Sequence, residues 1–284
     1  MLPRFPVGKE RGAKISELGD LNLLEGKLEI EGLKNVEGLS EAKSANLICK
    51  TNLSILLLDW LDSGTNIWKQ RTPEMFPYME EVLEGLEPNP SLEILKMHNY
   101  MGKTISPSWM GNLRNLVEIV FWGCKKCEHI PPLGRLPSLR VIRLLSMHSL
   151  KYFHDDDTNM SADNTDMFIC IQRLEIMWCR ELISLPDNLP KLEDLELNNC
   201  VKLISLPCNL PSIRKMNIEY CDGLLCLPDE IQSFKDLNKL EITRCKHLRK
   251  RCERNTGEDW HKISHIPNIN IDDDDDDPLF WDIC

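Results

Sequence analysis

Apolar residues recur along this chain at a fixed cadence. Three stretches, 171–186, 192–207 and 213–228, overlay without a gap, each beginning 21 residues after the one before. Each carries Leu, Ile or Met at its positions 1, 4 and 6, a cysteine at 9, leucines at 12 and 15 and a proline at 16. The apolar residues two apart predict a short strand with one face buried. The cysteine then marks a turn, and the leucines a return segment on the opposite side. No single unit of this length can bury its own apolar face, so the units must stack.

The template extends in both directions. Downstream, Leu237, Leu240, Ile242, Cys245 and Leu248 repeat it after a step of 24 residues. Upstream it returns at Leu139, Ile142, Leu144 and Met147, at Leu116, Ile119, Phe121 and Cys124, and at Leu92, Leu95, Met97 and Tyr100. Leu53, Leu56 and Leu58 predict a further strand, and Leu28 with Ile30 another. A period near 21 with this alternation is the signature of a leucine-rich repeat. The fold class expected is therefore α/β: a horseshoe solenoid with a parallel β-sheet on its concave face and irregular or short helical convex segments. Residues 1–50 read as degraded N-terminal repeats or a cap, with a helix over Ser40–Lys50 capped by Ser40. Residues 51–248 form the solenoid, interrupted near 62–90, where Met75–Leu86 reads as a helix, and near 154–166. Residues 249–271 should close the stack, and 272–284 form an acidic tail expected to be disordered.

The strand template assigns the concave face to the side chains that alternate with the buried leucines. Four residues before each turn position stand Lys96, Val120, Arg143, Glu175, Glu196, Asn217 and Glu241, in one row about 5 Å apart from coil to coil. A second row holds Ile94, Glu118, Val141, Arg173, Asp194, Lys215 and Lys239. Glu175 beside Glu196 is a like-charge contact that cations of the second row should offset. Trp122, Trp178 and Tyr220 fall one or two residues before their turn cysteines and should project on or beside the same face. Candidate partner-binding residues are thus Arg143, Glu175, Glu196, Glu241, Trp122, Trp178 and Tyr220. The alternative for the charged residues is an ordinary solvated strand residue, and for the three aromatics a ring folded down onto its neighbouring coil.

Charge narrows the partners. The net charge is −11, of which six come from the run Asp272–Asp277, and an acidic balance argues against general nucleic-acid binding, because phosphate contacts need clustered Lys and Arg. Nucleic acid is therefore not an expected partner. No apolar run is long enough to span a membrane, and the opening residues do not read as a signal peptide. Of twelve cysteines, Cys124, Cys179, Cys200, Cys221 and Cys245 occupy the turn position and should form a buried structural ladder of reduced thiols. A reducing compartment follows.

Candidate chemistry is thin. Cys124 and Cys127 have the spacing of half a zinc site, with no second pair at a usual distance. His261 and His265 lie four apart, without the Glu a metalloprotease helix needs. Asp155, Asp157, Asn159, Ser161, Asp163 and Asp166 follow calcium-loop spacing, but Met160 stands where Gly is required. Gly102-Lys103-Thr104 imitates the end of a phosphate-binding loop, whose first Gly would fall at Met97, a strand core position. No cofactor, metal or catalytic set is expected.

Several phrases then resemble one family in order: Ile15-Ser-Glu-Leu-Gly-Asp-Leu21, Leu28-Glu-Ile-Glu-Gly-Leu-Lys-Asn-Val36, Glu41-Ala-Lys43 with Ala45-Asn-Leu47, Val82-Leu-Glu-Gly-Leu86, Trp109, Leu133-Gly-Arg-Leu-Pro-Ser-Leu139 and Trp260–Ile271. Together they resemble the C-terminal repeat region of plant intracellular immune receptors of the coiled-coil, nucleotide-binding class. The resemblance implies a non-enzymatic protein-recognition and autoregulatory region. Its partners would be the receptor's nucleotide-binding module, absent from this chain and acting in cis or in trans, and a pathogen effector or guarded host protein. It implies the cytoplasm, with the nucleus as a second location. A substrate-recognition subunit of a ubiquitin ligase is the alternative, although residues 1–50 hold no adaptor-binding motif.

Overall fold

The computed structural model describes residues 4–8, 13–61, 78–153 and 168–271. Within these residues eleven strands lie side by side in a single sheet, all parallel and in chain order. They are β1 (Arg4–Pro6), β2 (Glu25–Glu31), β3 (Asn52–Asp59), β4 (Ile94–His98), β5 (Glu118–Trp122) and β6 (Val141–Leu145). Then follow β7 (Arg173–Met177), β8 (Asp194–Asn198), β9 (Lys215–Glu219), β10 (Lys239–Thr243) and β11 (Asn268–Ile271). From β4 to β10 the register is residue for residue. One inward row is Leu95, Ile119, Ile142, Leu174, Leu195, Met216 and Leu240, and two residues on runs Met97, Phe121, Leu144, Ile176, Leu197, Ile218 and Ile242. None of these is more than 1% exposed. Each such burial is worth about 1.5–3 kcal/mol, so these two rows are the spine of the fold.

The turn out of each repeat strand is built one way. The residue that follows the strand has left-handed backbone: Asn99 (φ 58°), Gly123 (69°), Ser146 (55°), Trp178 (60°), Asn199 (55°), Tyr220 (51°) and Arg244 (54°). Its N–H donates to the next coil, as from Asn99 to the Trp122 carbonyl at 2.8 Å and from Trp178 to the Asn198 carbonyl at 2.8 Å, so the ladder continues through the bend. The bend drops the following side chain into the core: Tyr100, Cys124, Met147, Cys179, Cys200, Cys221 and Cys245 are all at 0% exposure. The thiols of Cys124, Cys179, Cys200 and Cys245 each lie 3.6–3.7 Å from a strand carbonyl of the coil before, at Met97, Leu144, Ile176 and Ile218. A small weak donor suits a site that is dry yet faces an exposed lone pair. Burial pushes the Cys179 thiol up to about 12 and that of Cys124 higher still, which keeps both protonated.

At the N-terminal end the expected helix over Ser40–Lys50 is shorter and starts earlier: α1 runs Gly38–Lys43. Ser40 lies inside it, and the first turn is closed by the Glu41 carboxylate accepting the Glu37 N–H at 2.6 Å. Asn46, with φ 50°, breaks the run, and Leu47–Cys49 continues as a 3-10 turn. Helix α2 (Met79–Gly85) occupies part of the expected Met75–Leu86 helix, of which 75–77 lies outside the described residues. α1 and α2 pack so closely that a Cβ at Gly85 would stand 2.6 Å from the Ala42 Cβ. The loop at 62–66 and the acidic excursion at 154–166 also lie outside the described residues for all or nearly all of their length, as do the tail residues 272–284.

Two strands exceed the sequence expectation. β1 pairs with β2 through Phe5 and Ile30, and β11 pairs with β10 through Ile269 with Leu240 and Ile271 with Ile242. The segment before β11 holds helices α3 (Lys246–Arg251) and α4 (Trp260–Ile263). It is pinned to the last coils by Asp259, at 0% exposure. That carboxylate receives Arg251 Nε at 2.8 Å, Arg251 Nη2 at 3.0 Å and the Leu227 N–H at 3.2 Å, and pairs with Lys262 Nζ at 2.9 Å.

Candidate interaction surface

Parallel register turns alternate residues of successive strands into columns, so the concave face is three rows of side chains. The middle row reads Glu29, Leu57, Lys96, Val120, Arg143, Glu175, Glu196, Asn217, Glu241 and Asn270. Its members differ sharply in access. Val120 is 6% and Glu175 9% exposed, whereas Lys96, Arg143, Glu196, Asn217 and Glu241 remain half-open. Glu175 is thus largely covered, a support for the row more than a contact point.

The like charges are interleaved with guanidinium groups. Arg143 pairs through Nε with Glu118 at 3.1 Å and through Nη1 with Glu175 at 3.0 Å. Arg173 reaches Asp194 at 3.7 Å and Glu196 at 3.5 Å, and Lys239 pairs with Glu241 at 3.0 Å. At the other end Arg4 pairs with Glu31 at 2.7 Å and Lys27 with Glu29 at 3.0 Å. Burial, followed by the nearby Glu175 carboxylate, raises the pKa of Glu196, against the opposing pull of Arg173. A row held this way presents charge in fixed positions at little further ordering cost to a partner.

The third row, at the C-terminal ends of the strands, was not singled out in the sequence beyond Trp122. It runs Asp59, His98, Trp122, Leu145, Met177, Asn198, Glu219 and Thr243. Trp122 is 48% exposed, and Leu145 and Met177 are half-buried, which leaves an apolar strip in the centre of an otherwise charged face. The Trp122 ring meets His98 edge to face at 4.9 Å. Burial and then the Lys96 charge push the His98 pKa down to about 4, so the imidazole is neutral near pH 7.

Trp178 and Tyr220 stand just past the strands, at the left-handed bend, and are half-buried. Arg180 lies over the Trp178 ring at 5.4 Å, and Arg244 lies over the Tyr220 ring at 5.0 Å while donating to its hydroxyl. Bulky residues with positive φ are uncommon, because Cβ crowds the following carbonyl. The sequence does mark this column, since Asn, Gly and Ser hold four of its seven positions.

The remaining motifs have structural accounts. Cys124 and Cys127 are both at 0% exposure, and the Cys127 thiol donates to the His129 carbonyl at 2.8 Å. Met97 is a core strand residue, and a Cβ on Gly102 would lie 2.4 Å from the Tyr100 hydroxyl oxygen, so this glycine makes room for a ring. His261 and His265 are exposed in and beside α4. Among the described residues no group of three or more His, Cys, Asp and Glu is placed to hold a metal ion. No helix among them is long and apolar enough to cross a membrane.

Comparison with known proteins gives one consistent direction. Residues 15–147 match the family model described as R13L1/DRL21 LRRs. The chain is 30% identical to the disease resistance protein RGA2 of Solanum bulbocastanum, over 95% of this chain and 36% of that protein. It is 38% identical to the putative disease resistance protein RGA1 of the same species, over 49% of this chain and 13% of that one. A putative disease resistance RPP13-like protein 1 of Arabidopsis thaliana matches at 29% over 67% of this chain and 21% of that one. The chain therefore spans about a third or less of the length of these relatives. Among solved structures, the leucine-rich repeat domain of the type III effector XCV3220 (XopL) aligns over 82% of this chain and 81% of that one, with a TM-score of 0.49 at 16% identity.

Proposed function

Since this chain is a leucine-rich-repeat region of the plant disease resistance proteins, we propose that it works as the recognition and autoregulatory surface of an intracellular immune receptor. The partners in this reading are proteins: the receptor's nucleotide-binding module, in the same polypeptide or in trans, and a pathogen effector or a host protein that the effector alters. The role is one of binding without a catalytic step, carried out in the cytoplasm or the nucleus. The relatives favour this over the ubiquitin-ligase reading.

The observation that supports it most is the apolar strip of Trp122, Leu145 and Met177 set on a rigid sheet and framed by paired charges. An exposed Trp beside aliphatic side chains has the composition of an interface anchor, and fixed charges around it supply register and selectivity. Trp122, Glu196 and Glu241 are the residues of this face we assign to contact. Arg143 and Glu175 hold the row, and Trp178 and Tyr220 form its edge.

The test is binding of the receptor's nucleotide-binding module supplied in trans, followed by calorimetry. Trp122→Ala should weaken binding by about 2 kcal/mol or more, and joint reversal of Glu196 and Glu241 to Lys should weaken it and flatten its salt dependence. Unchanged affinity in both variants, with unaltered circular dichroism, would remove the concave face from the interaction.

A further inference from the structure

The middle row of the concave face balances its charges pairwise, with one exception. Glu29, Arg143, Glu175, Glu196 and Glu241 each lie within 3.5 Å of an opposite charge on the same or an adjacent strand. Lys96 does not: among the described residues its ammonium has neither an ion pair nor a hydrogen bond. In register beside it stand Leu57 and Val120, each 6% exposed, and along its own strand Ile94 and His98, each half-buried. Trp122 follows one strand over from His98, in ring contact at 4.9 Å. Asp59 and Glu118, diagonal to Lys96 on the two neighbouring strands, are engaged elsewhere. Asp59 accepts from Asn99 Nδ2 and from the Leu61 N–H, both at 2.9 Å, and Glu118 pairs with Arg143 at 3.1 Å. A lone cation thus sits at the margin of the apolar strip, in a largely apolar surround.

Half-open, Lys96 keeps its water while the face is bare, and it loses that water once a partner closes over Trp122, a diagonal step of about 8 Å away. An ammonium covered without a counter-charge is strongly unfavourable, so whatever covers it must bring one. We propose that the partner seated on this face presents a carboxylate to Lys96, on a protein segment whose neighbouring residues are apolar and cover Trp122 and Leu145. The assignment rests on the concave face being the binding surface, as proposed above, and gives that surface a direction. In an extended segment, side chains two residues apart stand about 7 Å apart on one face, close to the step from Lys96 to Trp122. The carboxylate and the first apolar anchor therefore belong two residues apart. The partner's negative charge goes toward β4 and its positive charge toward Glu196 and Glu241 on β8 and β10, so one of the two directions of a segment across the strands satisfies both ends and the other satisfies neither.

Panning the full chain against a displayed library of random linear peptides tests it. Binders that depend on Trp122 should carry Asp or Glu within about two residues of Trp, Phe, Leu or Ile. Their affinity should fall about tenfold or more in Lys96→Met, which keeps the apolar stem, and panning against Lys96→Glu should return Lys or Arg in place of the acid. The Lys96 ammonium holds nothing within the fold, so both variants should keep the circular dichroism of the parent. Binders that lose affinity in Trp122→Ala but not in Lys96→Met would overturn the carboxylate and leave the concave face as the surface. Binders indifferent to all three changes, or a panning that recovers none, would overturn the surface along with it.

Discussion

Replacing Asp259 by alanine asks how the last coil is fastened. The carboxylate is at 0% exposure and gathers two groups on Arg251, the Lys262 ammonium and the Leu227 N–H. Without it, Lys262, whose side chain is 11% exposed, keeps Asp229 at 2.6 Å, and the Leu227 N–H loses its acceptor. Removing one partner of a buried pair costs about 3–5 kcal/mol. Here Arg251 is a third exposed and keeps Glu258, and Lys262 keeps both Asp229 and the Leu227 carbonyl, so the expected loss is about 2–4 kcal/mol. Each coil touches only its neighbours, so the loss should fall on residues from β10 onward, while β4 to β7 keep their protection. Hydrogen exchange reads this directly, as an acceleration of roughly 30-fold to several-hundred-fold in β11 at about 1.4 kcal/mol per tenfold. The pH dependence adds a sign. Burial alone would raise the Asp259 pKa, but the hydrogen bonds from Arg251, Lys262 and the Leu227 amide outweigh it and hold the carboxyl well below its usual range. A folded pKa below the unfolded one contributes stability that is whole above about pH 4 and is lost as pH falls further. The variant should therefore differ from the parent most near neutral pH and least in strong acid. A loss under about 1 kcal/mol, or one spread evenly over all coils, would refute the assignment of Asp259 as the fastener.

Three further outcomes follow from other parts of the molecule. Ser146→Gly should stabilise by about 0.5–1 kcal/mol in urea denaturation, because Ser146 sits at φ 55°, while Ser146→Val should destabilise. Arg143→Met removes the cation between Glu118 and Glu175 and should cost about 1–3 kcal/mol, with the gap from the parent narrowing at high salt as the carboxylates are screened. In the native chain at pH 8, iodoacetamide should label the exposed thiols of Cys49, Cys208 and Cys226 rapidly and leave Cys124, Cys179, Cys200, Cys221 and Cys245 unlabelled until denaturant is added, as counted by mass spectrometry. Rapid native labelling of Cys179 would contradict its burial.

The strands with a 21-residue step, β7 to β9, could be read to the residue because leucine, cysteine and proline all recur at fixed offsets. β2 and β3 were visible only as two or three leucines. β1 and β11 escaped notice for a physical reason: each is short and, being at an edge, needs few apolar side chains of its own. Near Ser40 the expected helix differs from the observed one because serine is a common cap residue, whereas here the first turn is closed by Glu41 reaching back four residues to the Glu37 N–H. On the concave face, alternation gave the middle row correctly but not its depth. Glu175 is paired with Arg143 of the adjacent coil, a contact between coils that no local pattern encodes. The third row went unread because its residues, from His98 to Met177, share a position but no chemistry.

The uniform register from β4 to β10 also constrains how such a chain can change length. Removing or duplicating 21 residues within 171–228 exchanges one coil for another, with the leucines, the turn cysteine and the left-handed bend all landing on equivalent places. An indel of 20 would instead shift one strand by a residue and send its leucines outward and its charges into the core. Growth and loss by whole coils is therefore the inexpensive route to a new surface: it lengthens or shortens the row of side chains offered to a partner while every remaining contact in the spine stays in place.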